Sequence, residues 1–255
     1  LAVNEGARFD PAATAMTAIE VGDGYVLNGT KLHVLDGMQA QQFLVVARTG
    51  SQVGELDGLS VFLLPRDAAG MKITSTLNAD NHQSCAIEFE SVRVGKDALL
   101  GEAGQAWSGL EKALDIGAVC SAAEMLGIAQ QSFDMTVQYM KERKQFGLLV
   151  GSFQSLQHRA ATLVCELDLS RSLVLKALQA IDADSDVRSV LASAAQVKCG
   201  KTVKLSVNEA VQIHAGIGMT DEFDIGFFMK RSAAARQEYG DVNYHSDRFA
   251  QLRGY

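Results

Sequence analysis

An abrupt change of period constrains this chain more than any other feature. From Gly104 to Tyr255 there is no proline, and apolar residues recur at helical spacing, as in Met125, Ile128, Phe133, Val137 and Met140. One helix is expected through that window and a second from Phe153 to Ile181, ended by the Asp-rich stretch Asp182 to Asp186. A third is expected from Val187 to about Gly216 and a fourth from about Asp221 through Arg236. Short connections between long amphipathic helices favour antiparallel neighbours, so this half predicts an up-and-down four-helix bundle.

Ahead of Gly101 the punctuation is that of β structure. Gly22-Asp23-Gly24 and Asn28-Gly29 are hairpin-type turn signals around Tyr25-Val26-Leu27, because Gly and Asn accept positive φ at low cost. Phe43 to Ala47, Leu59 to Leu64 and Ala86 to Phe89 are short runs of β-formers bounded by Gly, Pro, Asp or Asn. The expected fold class is therefore α+β and multidomain: an antiparallel β-rich domain over residues 1–102, then a helical bundle over residues 103–255.

Composition narrows the function. At 255 residues, 47% apolar and 21% charged, the chain can bury two ordinary cores. A formal charge of -7 and a pI near 5.3 argue against nucleic acid, whose phosphates call for clustered Lys and Arg. No apolar run reaches the length of a membrane span, and the residues from Leu1 onward show no basic stretch followed by an apolar run of the kind a secretory signal has. Cys85, Cys120, Cys165 and Cys199 are far apart, with no CxxC pair and no His at ligand spacing. They read as reduced and structural, in a cytoplasm-like compartment, and no metal site is expected.

Two segments carry a resemblance. The first is Glu142-Arg143-Lys144-Gln145-Phe146-Gly147, followed by Phe153-Gln154-Ser155-Leu156-Gln157-His158. The second is Val211-Gln212-Ile213-His214-Ala215-Gly216-Ile217-Gly218-Met219-Thr220. In this order, and with a β-rich stretch from Gly22 to Arg48 ahead of them, they resemble the acyl-CoA dehydrogenase family over the whole chain. The resemblance implies a flavoprotein oxidoreductase of β-oxidation type, with a middle β-domain, a C-terminal helical bundle and a further N-terminal helical domain ahead of Leu1. It also implies FAD across a subunit interface, an acyl-CoA thioester as substrate, a homo- or hetero-tetramer and electron-transferring flavoprotein as the acceptor.

The resemblance assigns flavin contacts residue by residue. Arg143 matches the arginine that reaches the pyrophosphate, where a fixed cationic fork suits phosphate oxygens. Gln145 lies in the same stretch, Phe146 matches the packing aromatic, and Gln154 the polar contact downstream. Gln212 and Gly216 match the other half of the cradle, where glycine admits close backbone approach. Taken singly, each has an ordinary alternative: a solvated Arg, a core Phe, a helix-capping Gly. The ring side departs from the pattern. Val3-Asn4-Glu5-Gly6-Ala7-Arg8-Phe9-Asp10 stands where a Thr-Glu-Pro-Gly loop is usual, without the Pro and one residue short, and leaves Asn4 able to donate a hydrogen bond. His33-Val34-Leu35 stands where Trp-Ile-Thr is usual, so Leu35 offers no polar side chain and His33 is either a new partner or simply a half-exposed residue ending a strand.

The catalytic carboxylate is also missing from its usual place. α,β-Dehydrogenation needs a base within hydrogen-bond reach of the α-proton. The family's Glu precedes a Gly after the last bundle helix, and that position is Tyr239, before Gly240. A phenol with an ordinary pKa near 10 is a poor base at neutral pH. Glu238 is one step away and points elsewhere, and Asp241 serves only if the terminal loop is remodelled. An earlier-helix position used by some relatives falls on Gly117, with Asp115 and Glu124 displaced along the same helix. Three functions remain: an accessory or half-site subunit of a heteromeric acyl-CoA dehydrogenase, a self-sufficient dehydrogenase with a relocated base, or a flavin monooxygenase using His33 or His214.

Overall fold

The computed structural model describes residues 1–255 and divides into two compact units, Leu1–Ala113 and Leu114–Tyr255. The first unit is built on a seven-stranded sheet. Its strands are β1 (Thr17–Val21), β2 (Gly24–Leu35), β3 (Gln42–Arg48), β4 (Leu59–Pro65), β5 (Met71–Leu77), β6 (Gln83–Gly95) and β7 (Leu99–Leu100), in the spatial order β5-β6-β2-β1-β3-β4-β7. All pairings are antiparallel except that of β1 with β3, so the sheet is mixed rather than purely antiparallel. Alternate residues of the strands, among them Leu27, Val45, Phe62, Ile87 and Val92, form one core, as the period of two requires.

The Gly22-Asp23 turn joins β1 to β2 as expected, with Gly22 at φ 66. Asn28-Gly29 does not turn the chain. It lies inside β2, where the register against β6 shifts between Leu27 and Gly29. Gly29 has φ 149, and a Cβ there would stand 2.8 Å from the Met16 side chain, so glycine lets the strand bend past the entry to β1. Strands β1 and β5 were not visible as apolar runs: most of their residues are exposed, and β5 is an edge strand.

Strand β1 is too short to fill the space between β2 and β3. Residues Ala2 to Asn4 occupy the remainder: the Ala2 N–H donates to Leu44 O at 2.7 Å, Val46 N–H donates to Ala2 O at 3.1 Å, and Leu32 N–H donates to Asn4 O at 2.7 Å.

The second unit holds five helices rather than four. Helix α1 (Trp107–Glu142) begins ahead of it, followed by α2 (Gln154–Asp182), α3 (Arg188–His214), α4 (Ile225–Ala235) and α5 (Val242–Leu252). On α1, Ala118, Ala122, Met125, Ala129, Ser132, Thr136 and Met140 are all buried, a stripe of steps of three and four residues. Small residues such as Ala122, Ala177, Ala192 and Ala195 fill much of the core, and hydroxyls bond across it: Ser132 to Ser206 at 3.0 Å and Ser170 to Thr202 at 2.9 Å. Helix α1 is long and apolar enough by composition to cross a bilayer, with a mean hydropathy of 1.2 over its best window, yet this stripe is spent on the protein core. Asp184 takes φ 47 in the α2–α3 connection, a left-handed conformation that Asp tolerates.

The fifth helix corrects the reading of the C-terminal segment as a loop. Asp241 caps it, its Oδ1 accepting from Tyr244 N–H at 2.8 Å. Cys85 and Cys199 are buried and free, whereas Cys120 and Cys165 lie exposed on helices and are not core residues.

Candidate functional site

Three constellations carry the residues singled out in the sequence, two in the helical unit and one in the sheet unit. The first is at the junction of α1 and α2. Arg143 follows α1, and Lys144–Gln145 pairs with Leu148–Leu149 as a two-stranded hairpin, β8 and β9. Its turn is Phe146-Gly147, at φ 54 and 77. Two consecutive positive φ values define the tight hairpin turn that glycine favours and a bulky aromatic does not. At the tip of this turn the Phe146 ring is 92% exposed, with an edge contact to Phe153 at 6.3 Å between centroids. The hairpin is fastened by Val150 N–H donating to Arg143 O at 2.8 Å, leaving the Arg143 guanidinium exposed.

The end of α3 meets this junction. Met140, Val150 and Ile213 form a small core, against which Tyr139, Phe153 and Leu156 pack. His214 lies buried with its ring 4.3 Å from that of Tyr139 and 5.1 Å from that of Phe223. Its Nδ1 donates to Ala210 O at 2.8 Å, its Nε2 has no partner, and burial lowers its pKa. His214 is thus a neutral packing residue. Arg143, Gln145, Phe146, Gln154, Gln212 and Gly216 are all exposed and flank this one core. Ala215 takes φ 54, and a Cβ on Gly216 would meet nothing within 4 Å, so the backbone there is open to a ligand.

The second constellation surrounds Tyr239. Its ring lies against Gly117 of α1: a Cβ on Gly117 would stand 2.4 Å from Tyr239 Cε1 and 2.7 Å from Cδ1 and Cζ. The two positions singled out for a base are therefore neighbours in space, filled by a phenol and a bare helix backbone. Tyr239 has φ 56 and Gly240 φ 109. Side chains clamp the turn, with Gln196 Nε2 donating to Glu238 O and His245 Nε2 to Tyr239 O, both at 3.0 Å. Burial lowers the His245 pKa to about 4, so the ring is neutral and its Nδ1 accepts from Ser193 Oγ at 3.3 Å.

Each nearby carboxylate is engaged. Glu238 accepts from Arg231 at 2.8 Å, and Arg231 also bonds Glu124 at 2.5 and 2.8 Å. Asp115 is wholly buried and accepts from Arg248 at 2.6 Å, Ser189 Oγ at 2.6 Å and Arg188 at 3.2 Å. Asp241 is the α5 cap described above.

The third constellation is in the sheet unit. Asn4 and Leu32 are hydrogen-bonded neighbours, which places Asn4 alongside the residue that precedes His33. His33 does not end a strand. It sits at φ 52 in the irregularity between Lys31 and Val34, exposed, while Leu35 is 36% exposed. The Asn4 Oδ1 atom is buried without a partner. Beneath it Lys31 is fully buried, donating to Glu5 Oε1 at 2.6 Å and Val3 O at 3.0 Å. Burial lowers its pKa to about 8 against the raising influence of Glu5. The sequence reading overlooked Lys31 and Glu5. A lysine at an inward register position of a strand was the available signal, obscured by the bend at Gly29. Gln196 and His245 carried no local signal at all.

Two family models match the chain: acyl-CoA dehydrogenase, middle domain, over residues 2–92, and acyl-CoA dehydrogenase, C-terminal domain, over residues 104–251. The chain is 33% identical over 219 residues to a probable acyl-CoA dehydrogenase of Bacillus subtilis, covering 85% of this chain and 57% of that one. It is 31% identical over 228 residues to the mitochondrial short/branched chain specific acyl-CoA dehydrogenase of Rattus norvegicus, covering 88% of this chain and 52% of that one. An acyl-CoA dehydrogenase from Geobacillus kaustophilus superposes with a TM-score of 0.93 at 25% identity, covering 100% of this chain and 68% of that one. The chain spans about half the length of these curated relatives.

Proposed function

We propose, from the premise that this chain belongs to the acyl-CoA dehydrogenase family, that it is an accessory or half-site subunit of an FAD-dependent acyl-CoA dehydrogenase whose catalytic base comes from a partner chain. One observation carries this reading. Tyr239 and Gly117, the two positions to which the family resemblance assigns a base, pack against each other with no carboxylate at either. The carboxylates nearby are committed elsewhere: Glu238 and Glu124 to Arg231, Asp115 to Arg188 and Arg248, and Asp241 to the α5 cap. A relocated base among them would first have to break an ion pair or a helix cap.

The cofactor residues fit FAD on the helical unit. Arg143 is exposed and offers a planar fork to a pyrophosphate. Phe146 presents an apolar face beside it, Gln145, Gln154 and Gln212 offer exposed amides, and Gly216 leaves room for close backbone approach. On the ring side Asn4 is the hydrogen-bonding residue that the resemblance assigns, His33 offers an exposed imidazole and Leu35 no hydrogen bond. Bound FAD supplies the hydride acceptor for α,β-dehydrogenation of an acyl-CoA thioester. The assembly we infer is a tetramer with a second dehydrogenase-type subunit, cytoplasmic, with electron-transferring flavoprotein as acceptor.

The test is to purify the chain alone and together with a candidate sister subunit carrying Glu or Asp at the position of Tyr239, and to measure flavin content and acyl-CoA oxidation. Partner-dependent FAD binding, at about one flavin per two different chains, is expected on the shared-site logic. Full FAD occupancy with rapid turnover by the chain alone would refute the accessory role and return the case to a self-sufficient enzyme.

A further inference from the structure

We infer that Tyr239 closes this chain's own acyl site: its ring fills the space in which a thioester would meet a base, so this chain takes up no acyl-CoA and the partner chain binds all of it. This deepens the proposed function and rests on its assignment of the two base positions to Tyr239 and Gly117.

Reach locates the space. A base must come within about 3 Å of the proton it removes, so a carboxylate at either position has to find the α-carbon no more than a side chain's length away. Two positions can serve one proton only if the substrate lies in the space that both of them face. In this chain the Tyr239 ring spans that space, since a Cβ on Gly117 would stand 2.4 Å from Tyr239 Cε1 and 2.7 Å from Cδ1 and Cζ. The ring is in contact with the backbone of α1, and no further carbon fits between them.

Two residue choices that are each unfavourable locally make sense together. Glycine inside α1 weakens the helix, and Tyr239 takes φ 56, a conformation rare for a bulky residue. Both follow from a ring laid against bare helix backbone, and local costs of this kind collect where residues serve function rather than stability. The turn that carries the ring is pinned against α5. Gln196 and His245 hold the carbonyls of Glu238 and Tyr239 at 3.0 Å. Gly240 admits no side chain, because a Cβ there would stand 2.5 Å from Tyr244 Cδ1 and 3.0 Å from His245 Nε2. Tyr239 thus excludes by volume, as a specificity-determining residue.

The experiment titrates the S-butyl and S-octyl thioethers of coenzyme A, which lack the carbonyl that makes the α-proton acidic, into the assembly with the sister subunit, and counts bound ligand by calorimetry. The wild type is expected to bind no more than a single equivalent per pair of different chains. Tyr239→Ala is expected to gain a further equivalent, whose affinity rises from S-butyl to S-octyl by up to about fourfold for each buried methylene. Tyr239→Phe keeps the ring and is expected to gain none. A wild type that already binds an equivalent on each chain overturns the proposal, as does a Tyr239→Ala that gains none or gains one indifferent to alkyl length. A gain in Tyr239→Phe overturns closure by the ring. Should Tyr239→Ala not fold, Tyr239→Asn, a smaller residue that tolerates positive φ, must show the same gain, and an unchanged count overturns the proposal. Flavin content separates the two readings. Ligand on each wild-type chain with partner-dependent flavin removes the closed site alone, whereas full flavin occupancy and turnover by the chain by itself remove the accessory role as well.

Discussion

Adding one methyl group at Gly117 separates two opposing effects. In the interior of a helix, Gly→Ala stabilises by about 1 kcal/mol through backbone entropy. Here the new Cβ would stand 2.4 Å from Tyr239 Cε1 and 2.7 Å from two further ring atoms. Ordinary carbon contact is about 3.5–4.0 Å, so the ring must retreat by roughly 1 Å. The retreat is resisted because the carbonyls of Glu238 and Tyr239 are held by Gln196 and His245, and Tyr239 sits at φ 56. Overpacking of this kind costs about 1–3 kcal/mol, so Gly117→Ala should be net destabilising by about 1 kcal/mol despite the better helix former. In a Tyr239→Ala background the clash is gone and the same substitution should stabilise by about 1 kcal/mol. The coupling is then about 2 kcal/mol, measured as a double-mutant cycle by urea unfolding followed through helical ellipticity. For a chain of this size each kcal/mol moves Tm by about 2–4 °C, enough to see the change of sign by heating as well. Equal effects of Gly117→Ala in both backgrounds would refute the claim that the ring fills the space glycine leaves.

The folded-state pKa of His245, about 4 against an ordinary 6.5, means that the unfolded chain binds the extra proton first. Its contribution is therefore present at neutral pH and lost as pH falls from about 6.5 to about 4, on the order of 3 kcal/mol in all. His245→Gln should flatten the acid limb of stability against pH by about one proton, and an unchanged slope would contradict its burial as a neutral group. Asp115→Ala would leave the Arg188 and Arg248 guanidinium groups without the carboxylate they share. A loss of about 3–5 kcal/mol in urea unfolding, as for other broken buried pairs, is expected, together with faster amide exchange in α5. Arg143→Ala removes an exposed side chain and should leave Tm nearly unchanged. In the FAD-forming assembly it should weaken cofactor binding by about 1.5–3 kcal/mol, roughly ten- to a hundredfold, read by fluorescence titration; unchanged affinity would remove it from the pyrophosphate role.

The sequence by itself determined the elements whose signals are local. The stripe from Ala118 to Met140 makes α1 because buried positions recur every three or four residues, and the Asp-rich stretch at 182–186 ends α2 where Asp184 accepts a left-handed backbone. The Arg143 to Gln154 and Gln212 to Gly216 segments stood out for the same reason, since each is a contiguous run of sequence on which the resemblance rests. Strand β5 and helix α5 were not, because one is largely exposed and the other short and polar, so neither prints a long apolar period. Only the tertiary structure decided that Asn28-Gly29 bends a strand instead of reversing it, since the reason is the approach of Met16. It alone brought Tyr239 onto Gly117 and set Lys31 beneath Asn4. Those contacts join residues far apart in the chain through packing and buried charge, and no window of sequence contains both partners.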